Sequence, residues 1–251
     1  SISAGTLTAA NVNNVRYANQ FTGADAGAKI AAAIADLPST GGTVDARGLE
    51  GTQTFSSNIV IGSTTRCVTL LWGYGTLTTT NGSTITISGC SKFLGPDRTG
   101  NGARLSFSGL GASVDAITLL FPTNGANNNL TSQELAGFYV DCNNSGRDCV
   151  RVRGGRGWKV HDLFITRGLR DGLVIGGLAV GEWSEQYEIS NVMVFNNGRH
   201  GVRFDTSVAD STYIDVGTTS NIMSLDNGVN EQGYNWIYIL GTISVAQGID
   251  Q

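Results

Sequence analysis

A pattern of two short apolar runs separated by a polar turn recurs four times in the second half of the chain. The first runs are GFYV at 137–140, DLFI at 162–165, NVMV at 191–194 and NIMS at 221–224. The second runs are CVRV at 149–152, GLVI at 172–175, GVRF at 201–204 and GYNW at 233–236. A repeat of roughly 25 to 30 residues is typical of solenoid proteins, in which each copy forms one coil of a stack. The stretch 135–236 therefore predicts stacked coils.

Alignment of the four copies predicts which side chains lie above one another. Equivalent residues of successive parallel coils are about 4.8 Å apart. Two buried columns are predicted, with Phe138, Leu163, Val192 and Ile222 in one and Val150, Leu173, Val202 and Tyr234 in the other. Asn197 and Asn227 occupy equivalent turns, so we expect their side-chain amides to form a hydrogen-bonded ladder.

One strong helical signal covers residues 24–37. Its apolar residues recur at the three- and four-residue spacing of a single helix face: Ala26, Ile30, Ala33, Ile34 and Leu37. Pro38 and the Gly41-Gly42 pair are predicted to end the helix. Because the apolar stripe is narrow and rich in alanine, we expect the helix to cap the open end of the coils, where it would also cover edge backbone groups.

The remainder of the first half has the two-residue apolar spacing of β-strands. Strands are predicted at 43–46, 58–61, 68–72, 75–79, 84–88, 92–95, 104–108 and 116–121. Two-residue hairpin signals are sparse, which favours parallel coils over a meander. We expect one domain over residues 1–251, with an extended lead segment at 1–20, a helical cap at 21–40 and coils at 41–251. Because no amphipathic closing segment follows the strand-like run 237–245, a fragment of a longer protein is left open as an alternative.

Composition excludes two classes of partner. Charged residues make up 14% of the chain, the net charge is -4, and no block of Lys and Arg exists. A nucleic-acid-binding protein normally carries a basic patch, so nucleic acid is not an expected partner. No apolar run is long enough to span a membrane.

The four cysteines form two plausible disulfide pairs, Cys67 with Cys90 and Cys142 with Cys149. An even count with such spacing favours an oxidising compartment. Four buried thiols that act as small hydrophobic side chains are the alternative.

The N-terminal region resembles the capping region of the pectate-lyase superfamily. The resemblance lies in FTGAD at 21–25, the short Ala/Ile helix, and GGTV at 41–44 leading into repeated coils. It implies an all-β fold, a right-handed parallel β-helix with a short N-terminal capping α-helix. Members include pectate lyases, polygalacturonase-like hydrolases and phage tailspikes, so the resemblance also implies a polysaccharide partner, an extracellular, virion-surface or cell-surface location, and a monomer or homotrimer.

A pair of charged or polar residues directly precedes each second apolar run, at the corner where the chain turns into the next strand. The equivalent pairs are Arg147-Asp148, Arg170-Asp171, Arg199-His200 and, in the fourth copy, Glu231-Gln232. Stacked like charges repel unless an anion or alternating salt bridges lie between them. A polysaccharide that contains uronate would supply such an anion.

This charged column is the candidate site. On the catalytic hypothesis Asp148 and Asp171 are the acid and base, and His200 carries protons near neutral pH. The arginines would bind substrate carboxylates: Arg147, Arg170 and Arg199. On the alternative hypothesis the same residues only stabilise the corners, and each ion pair contributes at most ~1 kcal/mol.

Two insertions, at 176–186 and 205–215, leave the repeat at the same position and are predicted to wall a groove. The first contains three candidate substrate-binding residues, Glu182, Trp183 and Glu185. An indole between acids suits stacking on a sugar ring, although Trp183 could instead fold back onto its coil. No metal site is predicted. The resemblance allows Ca²⁺, but Asp141 is separated from other acids by the register and no ligand cluster is evident.

Two functions therefore remain open. The first is cleavage of an acidic, uronate-containing polysaccharide by lyase or hydrolase chemistry. The second is a non-catalytic role as a tailspike-like or cell-surface module that binds polysaccharide. A product assay separates the two hypotheses.

Overall fold

The computed structural model describes residues 14–99, 102–121, 132–179, 182, 184–205, 214–228 and 237–240. A 3-10 turn (Ala18–Gln20) and the helix α1 (Ala26–Asp36) lie near the N-terminus. The strands are β1 (Val15–Tyr17), β2 (Gly41–Asp45), β3 (Gly51–Thr54), β4 (Ile59–Ile61), β5 (Cys67–Leu71), β6 (Gly75–Thr79), β7 (Ile85–Ser88), β8 (Lys92–Leu94), β9 (Ala103–Phe107), β10 (Ile117–Leu120), β11 (Glu134–Ser145), β12 (Asp148–Arg153), β13 (Gly155–Arg156), β14 (Lys159–Gly168), β15 (Asp171–Ile175), β16 (Ser184–Phe195), β17 (Val202–Asp205), β18 (Ile214–Leu225) and β19 (Ile237–Leu240).

The strands form a parallel β-solenoid of about 7 turns. Among the described strands, seven form one sheet in the order β4-β7-β10-β12-β15-β17-β19. The other sheet contains twelve strands and runs through β2, β5, β8, β11, β14 and β16, with β18 on β16 and the row β3-β6-β9 joined to β11. Strands that are neighbours in a sheet belong to successive coils. The predicted fold class, a parallel β-helix with a short N-terminal helix, is confirmed.

The long strands β11, β14, β16 and β18 each combine two segments that are separate strands in the early coils. The start of β11 pairs with β8, and its later part, Tyr139 to Asp141, pairs with β9. At the junction one residue per coil has positive φ: Gly137 (78°), Asp162 (52°), Asn191 (52°) and Asn221 (51°). We call these four positions the bend column. Each long strand therefore presents two outward surfaces, one on either side of the bend.

The predicted columns are present in the register. Phe138 pairs with Leu163, which pairs with Val192, which pairs with Ile222. In the second column Val150, Leu173 and Val202 also pair as predicted. The fourth position was wrong, because Val202 pairs with Ile237 and not with Tyr234. The last strand begins three residues later than the alignment assumed, and Glu231-Gln232 lie outside the described residues.

The helix α1 buries the face that the spacing predicted, with Ala26, Ile30 and Ala33 almost fully buried. Asp25 caps its N-terminus by accepting a hydrogen bond from the amide of Ala28 at 2.8 Å. The other carboxylate oxygen accepts from the amide of Ser56 at 2.8 Å, which ties the cap to the chain after β3. An N-cap of this kind contributes about 1 kcal/mol to stability.

Candidate functional site

The charged column predicted from the repeat lies at the beginning of the strands of the seven-stranded sheet, where Asp148 and Asp171 are the first residues of β12 and β15. Asp148 pairs with Asp171 across β12 and β15, and the pairing of Leu173 with Val202 places His200 over Asp171. The column extends one coil further than predicted, because Ile117 pairs with Val150 and so aligns Asp115 with Asp148.

Alternating salt bridges neutralise this column. Each arginine donates two hydrogen bonds to the aspartate of the preceding coil: Arg147 to Asp115 at 2.8 and 2.6 Å, Arg170 to Asp148 at 3.1 and 3.1 Å, and Arg199 to Asp171 at 2.9 and 2.5 Å. Such two-point Arg-carboxylate contacts are strong and directional. Of the two explanations that the sequence left open, alternating salt bridges are therefore the one the structure contains, and no external anion is needed.

Two further arginines, within strands β12 and β17, complete this network of ion pairs. Arg151 is fully buried and donates to Asp148 at 2.5 Å and to the carbonyl oxygen of Gly176 at 3.0 Å. Arg203 lies 3.5 Å from Asp171 and 3.1 Å from Asp205. We call these residues the Arg-Asp ladder: Asp115, Arg147, Asp148, Arg151, Arg170, Asp171, Arg199, His200, Arg203 and Asp205.

The two central carboxyl groups of the ladder have opposite pKa shifts. Burial raises the pKa of Asp148, and the neighbouring Asp171 and Asp115 carboxylates add to this effect against Arg151. Burial also opposes ionisation of Asp171, but hydrogen bonds from Arg199 and His200 prevail and lower its pKa to about 2. A pair with divergent pKa values is what acid-base catalysis requires. Both side chains are nevertheless 0% exposed, so neither reaches solvent in this arrangement.

His200 is held by the same carboxylate. Its Nδ1 lies 2.9 Å from Oδ1 of Asp171, and its backbone amide donates to that oxygen at 3.1 Å. The structure thus brings together all three residues predicted to be catalytic, but it does so within a network of internal ion pairs.

Two of the predicted substrate-binding residues of the first insertion, Glu182 and Glu185, contact arginines that are not part of the ladder. Glu182 is buried and accepts hydrogen bonds from Arg153 at 3.0 and 2.5 Å and from the amide of Leu178 at 2.7 Å. Glu185 lies 3.5 Å from Arg156. Trp183 and most of the second insertion, 206–213, lie outside the described residues, so the predicted groove wall is not seen.

The structure joins Cys67 to Cys90 and Cys142 to Cys149 in disulfides. Asp141 is buried and forms salt bridges with Arg104 and Arg167. Within the described ranges no group of three or more His, Cys, Asp or Glu side chains is arranged to hold a metal ion. The calcium site that the resemblance allows therefore has no ligand set in this part of the chain.

A second cluster of polar side chains lies at the bend of the twelve-stranded sheet, where the sequence predicted no site. It lines a groove of about 540 Å³ between the segment after β8 and the strands β11 and β14. The lining residues are Leu94, Gly95, Pro96, Asp97, Arg98, Thr99, Glu134, Ala136, Gly137, His161 and Asp162. We call this feature the bend groove.

His161 links the two central carboxylates of the bend groove. Its Nδ1 lies 2.7 Å from Oδ2 of Asp162, and its Nε2 lies 3.0 Å from Oε1 of Glu134. Glu134 also accepts a hydrogen bond from Lys92 at 2.6 Å. Burial opposes protonation of the imidazole, but Asp162 and Glu134 outweigh burial and raise the pKa of His161. Burial likewise opposes ionisation of Glu134, yet Lys92 and His161 lower its pKa.

A ladder of side-chain amides holds Asp162 in place. Asn221 donates to Oδ1 of Asn191 at 2.6 Å, and Asn191 donates to Oδ1 of Asp162 at 3.1 Å. All three residues belong to the bend column and share its left-handed backbone. The Asp162 side chain remains 47% exposed. A carboxylate that is fixed in position and still open to solvent is suited to binding a ligand.

Arg98 connects the bend groove to an outward-facing apolar surface. Its guanidinium carbon lies 5.1 Å from the centre of the Phe164 ring, and its Nη1 donates to the carbonyl oxygen of Asn191. Tyr139, Phe164 and Phe195 meet edge to face, with ring centres 6.1 to 6.4 Å apart. Sulfur-containing and aliphatic side chains extend this surface. We call the whole set the aromatic patch: Tyr139, Phe164, Met193, Phe195, Met223 and Leu225.

The sequence contained two signals for the bend groove. The first residues of the four aligned rows are Gly, Asp, Asn and Asn, the residue types that best tolerate left-handed backbone. They mark the bend. Glu134 stands one coil before Lys159, so the repeat places it beside His161. His161 therefore has two carboxylate neighbours, Glu134 and Asp162.

Comparison of the chain with protein-family models, with curated proteins and with solved structures found no match. The fold is thus established by the strand pairing, and membership of the pectate-lyase superfamily stays a prediction.

Proposed function

We propose that this protein binds a polysaccharide along the outward surface of β11, β14, β16 and β18, with the aromatic patch as the main contact. The observation that carries this proposal is the patch itself. Its aromatic rings are half-buried, whereas Met223 is 45% and Leu225 42% exposed. A contiguous exposed apolar surface on a soluble β-structure commonly marks an interaction site.

The chemistry of the patch suits sugars. Sugar rings have apolar faces edged by hydroxyl groups, and amphipathic aromatic surfaces bind such ligands. Arg98 lies over Phe164 and Arg104 lies 5.0 Å from the centre of the Tyr139 ring, so cationic donors stand beside the rings. Stacked coils hold these side chains in fixed columns, which lowers the entropic cost of binding.

Polysaccharide cleavage by Asp148, Asp171 and His200 stays a prediction. The Arg-Asp ladder gives a non-catalytic account of the same residues, because every carboxylate in it faces an arginine. A substrate would have to displace those arginines before it reached either aspartate. The geometry therefore favours the binding function over the catalytic one.

The test is binding to a panel of neutral and uronate-rich polysaccharides, scored by affinity electrophoresis and by assays for unsaturated and reducing ends. We expect binding without product formation. The Phe164→Ala and Tyr139→Ala variants should each bind about tenfold more weakly, a loss near 1.4 kcal/mol. Tyr74→Ala is the matched control, because Tyr74 is 64% exposed and lies outside the patch.

Three outcomes would contradict the proposal. If neither class of polysaccharide binds, the function is wrong. If products accumulate and disappear in an Asp171→Asn variant, the protein is a polysaccharide-cleaving enzyme. If Tyr74→Ala weakens binding as much as Phe164→Ala does, the aromatic patch is not the binding surface.

An extracellular or surface location and a monomer or homotrimer remain predictions. Across the described ranges no helix is long and apolar enough to cross a membrane.

A further inference from the structure

We propose that the bend groove is a subsite for an uncharged sugar residue of the bound polysaccharide, whose hydroxyl groups donate hydrogen bonds to Glu134 and Asp162. This inference rests on the proposed function and specifies the ligand class. It differs from the uronate ligand that the sequence predicted.

The bend groove has the size of a ligand site and lies beside the aromatic patch. The groove volume of about 540 Å³ lies within the roughly 300 to 1,000 Å³ of typical ligand sites. Arg98 lines the groove and also covers Phe164 of the aromatic patch. A single chain of sugars can therefore lie on the patch and place one residue in the groove.

The groove presents hydrogen-bond acceptors. Glu134 accepts one bond at each oxygen, from Lys92 and from His161. Asp162 accepts from Asn191 and lies 2.7 Å from Nδ1 of His161, whose ring donates to both carboxylates when it is protonated. Because an ionised carboxylate has about four lone-pair positions, each group keeps room for further donors. Sugar hydroxyls are such donors, and the existing bonds hold both carboxylates ready for them.

The charge balance decides between a neutral and an acidic sugar. The groove and its edge carry equal numbers of acidic and basic side chains. The acids are Asp97, Glu134 and Asp162. The bases are Lys92, Arg98 and His161. Lys159 and Glu188 of the neighbouring positions pair with each other at 2.9 Å. A uronate would add a negative charge beside Glu134 and Asp162, and the cations nearest to them, Lys92 and His161, already contact these carboxylates. Repulsion between the uronate and the two carboxylates therefore disfavours its binding. An uncharged residue meets no such penalty.

The experiment compares neutral oligosaccharides, namely malto-, cello- and mannooligosaccharides, with oligogalacturonate by isothermal titration calorimetry. The variants are Asp162→Asn and Glu134→Gln. Asn occupies the equivalent position in the next two coils, at Asn191 and Asn221, so Asp162→Asn keeps a residue that tolerates the left-handed backbone. Glu188→Gln is the matched control, because Glu188 belongs to the same outward column but lies outside the groove.

We expect the native protein to prefer a neutral oligosaccharide over oligogalacturonate by about tenfold or more, since each uronate would bring a like charge beside Glu134 and Asp162. Each groove variant should weaken neutral binding about fivefold to tenfold. The double variant should also lose its discrimination against oligogalacturonate, which a merely structural role would not change. Glu188→Gln should alter neither affinity nor selectivity.

Each contrary result would overturn a different part of the proposal. Tighter binding of oligogalacturonate than of every neutral probe overturns the ligand class and leaves the proposed function intact. Unchanged affinity in both groove variants, together with lost affinity in Phe164→Ala, overturns the subsite alone. If neither class of oligosaccharide binds the native protein, the proposed function fails and the subsite fails with it. A thermal melt of every variant separates lost binding from lost folding.

Discussion

At the scale of single residues, Asp148 shows how this protein holds a charge away from water. Its carboxylate faces Arg151 in its own coil and Arg170 in the next. The repeat predicted that aspartates stack on aspartates, and that prediction holds in the register. The sequence could not predict which arginine would bind which aspartate, because a side chain can point along either coil and only the packed structure decides.

The Asp148→Ala variant tests the strength of this arrangement. It leaves the fully buried Arg151 without its closest carboxylate, and breaking a buried ion pair costs about 3–5 kcal/mol. We expect a loss of that size in the free energy of unfolding, measured by urea denaturation. The double variant Asp148→Leu with Arg151→Met should recover much of the loss, because apolar side chains can replace a buried pair.

Lys159→Ala is the control for this prediction. Its exposed ion pair with Glu188 should contribute no more than about 1 kcal/mol. A double variant less stable than Asp148→Ala would show that Arg151 does not depend on this carboxylate.

At the scale of secondary structure, the bend column determines where each long strand turns. Its four residues have φ between 51° and 78°, and three of them are Asp or Asn joined by hydrogen bonds. The fourth, Gly137, has a close neighbour: a Cβ added to it would lie 2.3 Å from the carbonyl oxygen of Gly95. Glycine is therefore required at this coil by both backbone conformation and space.

Gly137→Ala should destabilise the protein by more than about 1 kcal/mol, because alanine is strained at positive φ and also meets Gly95. Asn191→Gly is the comparison, since it keeps a residue suited to the left-handed backbone and loses only side-chain hydrogen bonds, each worth about 1 kcal/mol. Thermal unfolding followed by circular dichroism measures both variants. A melting temperature of Gly137→Ala equal to that of the native protein would contradict the close contact.

At the scale of the whole molecule, stability comes from contacts between neighbouring coils. Most of the described strands pair with strands of both adjacent coils, as expected of a solenoid. The helix α1 packs against β1, β2, β3 and β4 at the N-terminal end. The Cys67–Cys90 disulfide adds a covalent link between β5 and the turn before β8, across one coil.

Removal of this disulfide in a Cys67→Ala, Cys90→Ala variant should lower the free energy of unfolding by about 3 kcal/mol. The two cysteines are 23 residues apart, whereas Cys142 and Cys149 are 7 apart. A longer closed loop restricts the unfolded chain more, so the second pair should contribute less through this effect. Urea denaturation without reductant measures both double variants. A larger loss on replacing both Cys142 and Cys149 would show that their burial in the core, and not loop length, dominates.

The sequence by itself determined the coils, the N-terminal helix and most of the buried columns, because apolar periodicity and the residues that turn the chain are local properties. It missed the fourth position of the second column, since Val202 pairs with Ile237, three residues beyond the Tyr234 that the alignment predicted. Only the tertiary structure decided that the predicted catalytic aspartates are buried against arginines. It also formed the bend groove, where Arg98 reaches the carbonyl oxygen of Asn191, 93 residues away in the chain. Such contacts depend on how a loop folds across several coils, from β8 to β16, which no local pattern encodes.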